Sequence, residues 1–355
     1  MAARRPAWVV LEDGLTLEAR AVAAEGTALG EMVFTTSMTG YQEAVTDPSY
    51  MGQILTFAAP MVGNYGAGPG YSESDRVRTE AVIMARSGDR GGAAGPTGWN
   101  TWLAQAGVVA VEDVDTRRLV THLRDRGAMR GGVSTELDPE ALLERVQAHP
   151  GLDGQDLAAA AAGPRRSAGV DGPRIAAIDC GIKDSIVARM AGAGCRLEIF
   201  PPDATVDDIL SVDPAALFCS NGPGDPAAAG HVISVIESVL GQIPVFGICM
   251  GHQLLARALG MGTERLPFGH RGANHPVRRV EDDRVEITVQ NHGYAVSSSP
   301  LPDGVEITRT SLFDGSVEGI RAPELRAWSV QYHPEARPGP NDAAYTFRAF
   351  VEEVS

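Results

Sequence analysis

The pattern of apolar and polar positions changes period partway along the chain. In the first part, Trp8-Val-Val-Leu-Glu12, an Asp13-Gly14 turn and Leu15-Thr-Leu-Glu-Ala19 predict a hairpin. Met32-Val-Phe-Thr-Thr36 and Gln53-Ile-Leu-Thr-Phe57 predict two more strands. Helical spacing follows in Thr116-Arg-Arg-Leu-Val-Thr-His-Leu-Arg124, and Asp138-Pro139-Glu140 supplies an N-cap with proline at the first helical position. These signals predict an α+β N-terminal domain over residues 1–152.

Residues 153–173 lose periodicity and fill with Ala, Gly and Pro, which predicts an interdomain connection. From residue 174 to 355 the pattern alternates. Strands are predicted at 174–179, 196–200, 215–219 and 243–248, with helices at 186–190, 206–210 and 232–240 between them. Such alternation predicts an α/β domain with a central, mostly parallel sheet flanked by helices. No internal repeat is present.

The strand Pro244-Val-Phe-Gly-Ile248 runs into Cys249 and then directly into the helical pattern Gln253-Leu-Leu-Ala-Arg-Ala-Leu259. Cys249 therefore sits on a sharp strand-to-helix turn, with Gly247 and Gly251 permitting the bend, as at a nucleophile elbow. The unpaired N–H groups and dipole of the helix start stabilise negative charge on the sulfur, and the turn presents it as a nucleophile. Such a nucleophile needs a base and a group to orient that base. His333 ends the apolar strand Ala327-Trp-Ser-Val-Gln-Tyr332, and Glu335, two residues on, lies on the same face of an extended chain. An oxyanion needs N–H donors: Met250, next to the nucleophile, offers one, and Gly222 in the tight loop Ser220-Asn-Gly-Pro-Gly-Asp-Pro226 offers a second.

Composition narrows the range of partners. A formal net charge of -15 argues against nucleic acid and anionic membrane surfaces. No apolar run approaches transmembrane length and no secretory signal opens the chain, so a cytoplasmic location is expected. The four cysteines follow neither a disulfide framework nor zinc pairs, and Cys180, Cys195 and Cys219 read as core. No HxH or HExxH spacing occurs, and no metal site is expected. Lys183 is the only lysine among 30 basic residues, and its surroundings do not form a phosphate loop.

The segments Ser220-Asn-Gly-Pro-Gly-Asp-Pro226, Phe246-Gly-Ile-Cys-Met-Gly-His-Gln253 and His333-Pro-Glu335 together resemble the glutaminase domain of class I glutamine amidotransferases. Gly30-Glu-Met-Val-Phe-Thr-Thr-Ser-Met-Thr-Gly-Tyr-Gln-Glu-Ala-Val-Thr-Asp-Pro-Ser-Tyr50, Phe268-Gly-His-Arg-Gly-Ala-Asn-His-Pro-Val277 and Gln290-Asn-His-Gly-Tyr294 resemble the carbamoyl-phosphate synthetase small-chain family. The resemblance implies Cys249 as nucleophile, completed by His333 and Glu335. It also implies a glutamine site lined by Ser49, Gly222, Gly224, Met250, Gln253, Asn291, Gly293 and Tyr294. It further implies L-glutamine as substrate, no cofactor in this chain, and a large synthetase subunit carrying ATP and Mg. That partner would make carbamoyl phosphate from bicarbonate for arginine and pyrimidine synthesis. Two other readings compete: a free-standing γ-glutamyl cysteine hydrolase, and a non-catalytic regulatory subunit that retains the fold.

Overall fold

The computed structural model describes residues 5–354, which form two compact units divided between Leu152 and Asp153. The N-terminal unit opens with β1 (Pro6–Leu11), β2 (Thr16–Ala21) and β3 (Thr27–Thr35), followed by α1 (Tyr41–Thr46), β4 (Gln53–Phe57), β5 (Ala81–Ile83) and α2 (Trp99–Gln105). It continues with β6 (Val109–Glu112), α3 (Thr116–Arg126), β7 (Met129–Ser134) and α4 (Pro139–Ala148).

The expected hairpin is there: β1 pairs antiparallel with β2, and Gly14, at φ 89°, donates its N–H to the Leu11 carbonyl in the turn. Asp138 caps α4, its side chain accepting from the Ala141 N–H. The seven strands close into a barrel in the order β1-β2-β6-β5-β4-β3-β7. Apolar residues emerge on both faces of its strands. Val9, Met32, Ile54 and Val111 join Leu119 and Leu123 of α3 in one core, whereas Val33, Leu55, Val82 and Ala110 join Tyr41 of α1 and Trp99 of α2 in another. This two-sided burial explains the near-continuous apolar runs in the strands.

The C-terminal unit contains α5 (Ala158–Ala161), β8 (Arg166–Gly169), β9 (Arg174–Ile178), α6 (Asp184–Gly192), β10 (Arg196–Phe200), α7 (Val206–Leu210), β11 (Ala216–Cys219), α8 (Gly230–Val239), β12 (Val245–Ile248) and α9 (Met250–Ala258). Then come β13 (Thr263–Arg279), β14 (Val285–Val296), β15 (Glu306–Ser311), β16 (Val317–Ala322), β17 (Ala327–Val330) and α10 (Tyr345–Glu353). The stretch 153–173 is not an open connection. It folds with this unit, α5 burying Ala158 and Ala161, and β8 pairing antiparallel with β10 at the sheet edge.

The centre of the sheet is parallel in the order β10-β9-β11-β12-β17, and β16, β15, β13 and β14 extend it antiparallel. One face is covered by α8 and α9 through Val232, Ile236, Leu254 and Leu255; the other by α6 and α10 through Ile186, Met190, Phe347 and Phe350. β12 lies between β11 and β17, so the chain leaving each of these three strands emerges at the same sheet edge. In open α/β sheets that edge is where ligands bind.

Candidate active site

Cys249 has φ 55° and ψ -104°, a strained conformation for a residue with a Cβ. Two close approaches hold it there. A Cβ on Gly251 would lie 2.0 Å from the Cys219 carbonyl oxygen, and one on Gly247 would lie 2.4 Å from the Gly251 carbonyl oxygen. The two glycines therefore serve the packing of α9 against β11 and β12; neither has a positive φ. The Cys249 N–H donates to Val330 O at 3.0 Å and the Gly251 N–H to Ser220 O at 2.9 Å, fastening the elbow to both neighbouring strand ends.

The sequence reading has Cys249 presented openly, but its exposure is only 2%. The thiol is buried, and Sγ donates to the Asn291 carbonyl oxygen at 3.7 Å. On one side, the loop after β11 brings Gly222 within close range of the Cys180 carbonyl, where a Cβ would sit 2.1 Å away. Among the described residues, neither the Gly222 nor the Met250 N–H has a hydrogen-bond acceptor, so both donors are available to a ligand oxygen. Gly224 follows in the same loop at φ 98°.

On the other side, the chain after β17 delivers His333 and Glu335. Nδ1–H of His333 donates to Glu335 Oε1 at 2.6 Å, which fixes the tautomer and leaves Nε2 buried without a hydrogen-bond partner. Burial opposes a charged imidazole here, but the Glu335 carboxylate and the nearby Cys249 sulfur outweigh it and lift the His333 pKa to about 10. Burial likewise disfavours the Glu335 carboxylate, and Lys183 together with His333 overcomes that and holds it below the usual carboxylate range.

Lys183 is the residue the sequence reading passed over. Its Nζ donates to Glu335 Oε1 at 2.8 Å and to the Arg337 carbonyl at 3.2 Å, with only 3% of the side chain exposed. The one available signal was a lone lysine, in a chain otherwise using arginine, just beyond a strand end. His252, which follows Cys249 by three residues, is no rival base. Burial pushes its pKa down to about 3, and Nδ1 pairs with Ser329 Oγ at 2.8 Å.

The remaining expected site residues divide into groups. Asn291, Gly293 and Tyr294 lie on β14, with the Asn291 carbonyl against the sulfur. Gln253 commits its amide nitrogen to Tyr294 O at 2.7 Å and Gln331 Oε1 at 3.0 Å, so it holds β14 beside α9. The Tyr294 hydroxyl donates to Asp153 at 2.9 Å. Ser49 belongs to the N-terminal unit, in the 3-10 turn Pro48–Tyr50, where its N–H donates to the Asp47 carboxylate at 2.9 Å. No helix among the described residues is long and apolar enough to cross a membrane.

Comparison with known proteins agrees with this arrangement. Residues 176–353 match the family described as glutamine amidotransferase class-I, and residues 9–133 match the carbamoyl-phosphate synthase small chain, CPSase domain. Carbamoyl phosphate synthase small chains from Akkermansia muciniphila and Chlorobaculum tepidum are each 42% identical, over 98% of this chain and 97% of the relative. The one from Escherichia coli K12 is 41% identical over 99% of this chain and 97% of its own length. A strained cysteine elbow, a His–Glu pair in the turn that follows the adjoining strand and full-length similarity converge: the chain belongs to the carbamoyl-phosphate synthase small-chain family, with a class-I glutamine amidotransferase domain as its C-terminal unit.

Proposed function

We propose that this chain hydrolyses the side-chain amide of L-glutamine and supplies the ammonia to a large synthetase subunit that makes carbamoyl phosphate from bicarbonate and ATP. The observation that carries the reading is the placement of Cys249 on a strained elbow between the Gly222 loop and the His333–Glu335 pair.

The Cys249 thiolate attacks the amide carbon, and the N–H groups of Met250 and Gly222 receive the oxyanion. Each such donor contributes a factor of roughly 10²–10³ to the rate. His333, charged and oriented by Glu335, gives its Nε2 proton to the departing nitrogen as the C–N bond breaks. Ammonia leaves and a γ-glutamyl thioester remains. Water then attacks the thioester carbon, His333 takes up its proton, and glutamate departs with the thiolate restored. Asn291, Gly293, Tyr294, Gly224 and Ser49 are assigned to glutamine binding, and Gln253 to holding the β14 wall. ATP and Mg belong to the partner in this reading.

The relatives' shared name supports the partner assignment, as does the separate N-terminal barrel that matches the small-chain family. The test is carbamoyl phosphate synthesis by this chain paired with its large subunit. Cys249→Ser should abolish synthesis from glutamine while added ammonia still supports it. Retained glutamine-dependent turnover would refute the nucleophile. Glutamine hydrolysis with no carbamoyl phosphate from the pair would favour a free-standing hydrolase, and no hydrolysis in any setting a regulatory subunit.

A further inference from the structure

The antiparallel extension of the sheet encloses a second group of buried titratable side chains, reached from Cys249 through the neighbouring Asn291 on β14. His270 on β13 lies directly across from His292 on β14, and Glu318 comes from β16. All three are buried, and one ligand atom from each lies within 4.8 Å of the others.

The outer nitrogens of both rings are already committed. His270 Nε2 is 2.9 Å from Asp314 Oδ2, and His292 Nδ1 is 2.7 Å from the Tyr294 carbonyl oxygen. Those oxygens only accept, so each of these nitrogens carries a proton. In the neutral rings His270 Nδ1 and His292 Nε2 then present lone pairs inward. His270 Nδ1 faces Glu318 Oε1 at 3.6 Å, too far for a hydrogen bond, and both atoms are buried without a hydrogen-bond partner. His292 Nε2 faces Gln290 Oε1 at 3.0 Å. The Gln290 amide orientation is set by its Nε2, which donates to Glu318 Oε2 at 2.8 Å, so the oxygen facing His292 is also an acceptor. Two acceptor atoms at 3.0 Å repel unless a proton or a cation lies between them.

We propose that His270 Nδ1, His292 Nε2 and Glu318 Oε1 bind one divalent transition-metal ion of the zinc type, with Gln290 Oε1 as a fourth ligand. Zinc takes nitrogen and oxygen donors at about 2.0–2.2 Å, so neighbouring ligand atoms of a tetrahedral site are about 3.4 Å apart. The 3.0 and 3.6 Å separations lie on either side of that length. Asp314 on His270 and the Tyr294 carbonyl on His292 are the outer partners that orient metal-binding imidazoles. Asp314, whose side chain is 40% exposed, puts the His270 end of the cluster next to solvent. The bound ion would clip β13, β14 and β16 together, and so hold the strand that carries Asn291, Gly293 and Tyr294. The ligands come from three strands, so no short sequence motif records them.

The test uses the full chain bearing Cys249→Ser, so that the cysteine and His333 cannot supply a competing site. After chelator treatment, Co²⁺ titration should give saturable one-to-one binding with the visible spectrum of a tetrahedral N/O site, and Zn²⁺ should displace it. Glu318→Gln and His270→Gln should each weaken binding by at least about tenfold, the scale on which even outer partners act. Zinc-edge anomalous scattering from crystals of the parent chain should place a peak between His270 and His292, a readout independent of the variants' folding. Absence of stoichiometric binding, a peak elsewhere, or equal affinity in folded Glu318→Gln would overturn the site and leave a proton shared within the cluster as its occupant.

Discussion

Replacing Glu335 by Gln removes one charge from the buried cluster while keeping its volume and a carbonyl oxygen. In the native fold Glu335 Oε1 receives Lys183 Nζ at 2.8 Å and His333 Nδ1 at 2.6 Å, and none of the three side chains is more than 3% exposed. At 2.8 Å and an effective dielectric constant of about 20, the Lys183–Glu335 attraction is roughly 6 kcal/mol. Removing one partner of a buried pair costs about 3–5 kcal/mol, because the other charge stays behind uncompensated. For a unit of some 200 residues each kcal/mol moves the midpoint by roughly 2–4 °C, so Glu335→Gln should lower its Tm by roughly 6–20 °C. Lys183→Met should also destabilise, by stranding the carboxylate. The double variant Lys183→Met/Glu335→Gln removes both charges and should be more stable than the two single costs added together, by about 2 kcal/mol or more. Thermal and urea unfolding followed by near-UV circular dichroism read this directly. A midpoint for Glu335→Gln within about 2 °C of the parent, or strictly additive single costs, would refute the buried-charge reasoning.

Two further outcomes follow from the same geometry. His333 is held at about 10, above an unfolded value near 6.5, so its proton stabilises the fold fully below about pH 6.5, and that contribution is lost as the pH rises towards 10. The stability gap between the parent chain and His333→Gln, from urea unfolding, should narrow by about 1.4 kcal/mol per pH unit across that window; a constant gap contradicts the assignment. Gly251→Ala would stabilise an ordinary exposed helix by about 1 kcal/mol. Here the new Cβ would lie 2.0 Å from the Cys219 carbonyl, so the variant should instead lose at least about 1–3 kcal/mol, and a raised Tm would disprove the close approach.

Much of the C-terminal unit was readable because its strands and helices carry opposite periods. The predicted strand at 196–200 and helix at 206–210 coincide with β10 and α7. Three parts of the candidate site stand out in the sequence because each follows an apolar strand close to a glycine or proline: Cys249 after β12, the Ser220 loop after β11, His333 after β17. What sequence cannot encode locally is register. The pairing of Ile248 with Val330, which brings the chain at Cys249 beside the chain leading to His333, joins positions some 80 residues apart. For the same reason Lys183 escaped notice, since its partner Glu335 is 152 residues away. In the N-terminal unit, β5 has only three residues and β7 is interrupted by Gly131 and Gly132, too short or too irregular to show a period, so barrel closure was not foreseen. The long β13 was hidden by its His, Gly and Asn residues and by two irregularities in its pairing with β14.

The account stands on the Cys249 sulfur forming a bond to the γ-carbonyl carbon of glutamine. Acid-quenching the chain during turnover of isotopically labelled glutamine, followed by peptide mass spectrometry, measures that bond itself. A γ-glutamyl adduct should be found on the peptide containing Cys249 and be absent from Cys249→Ser. An adduct on Cys180, Cys195 or Cys219, or continued turnover by Cys249→Ser, would contradict it.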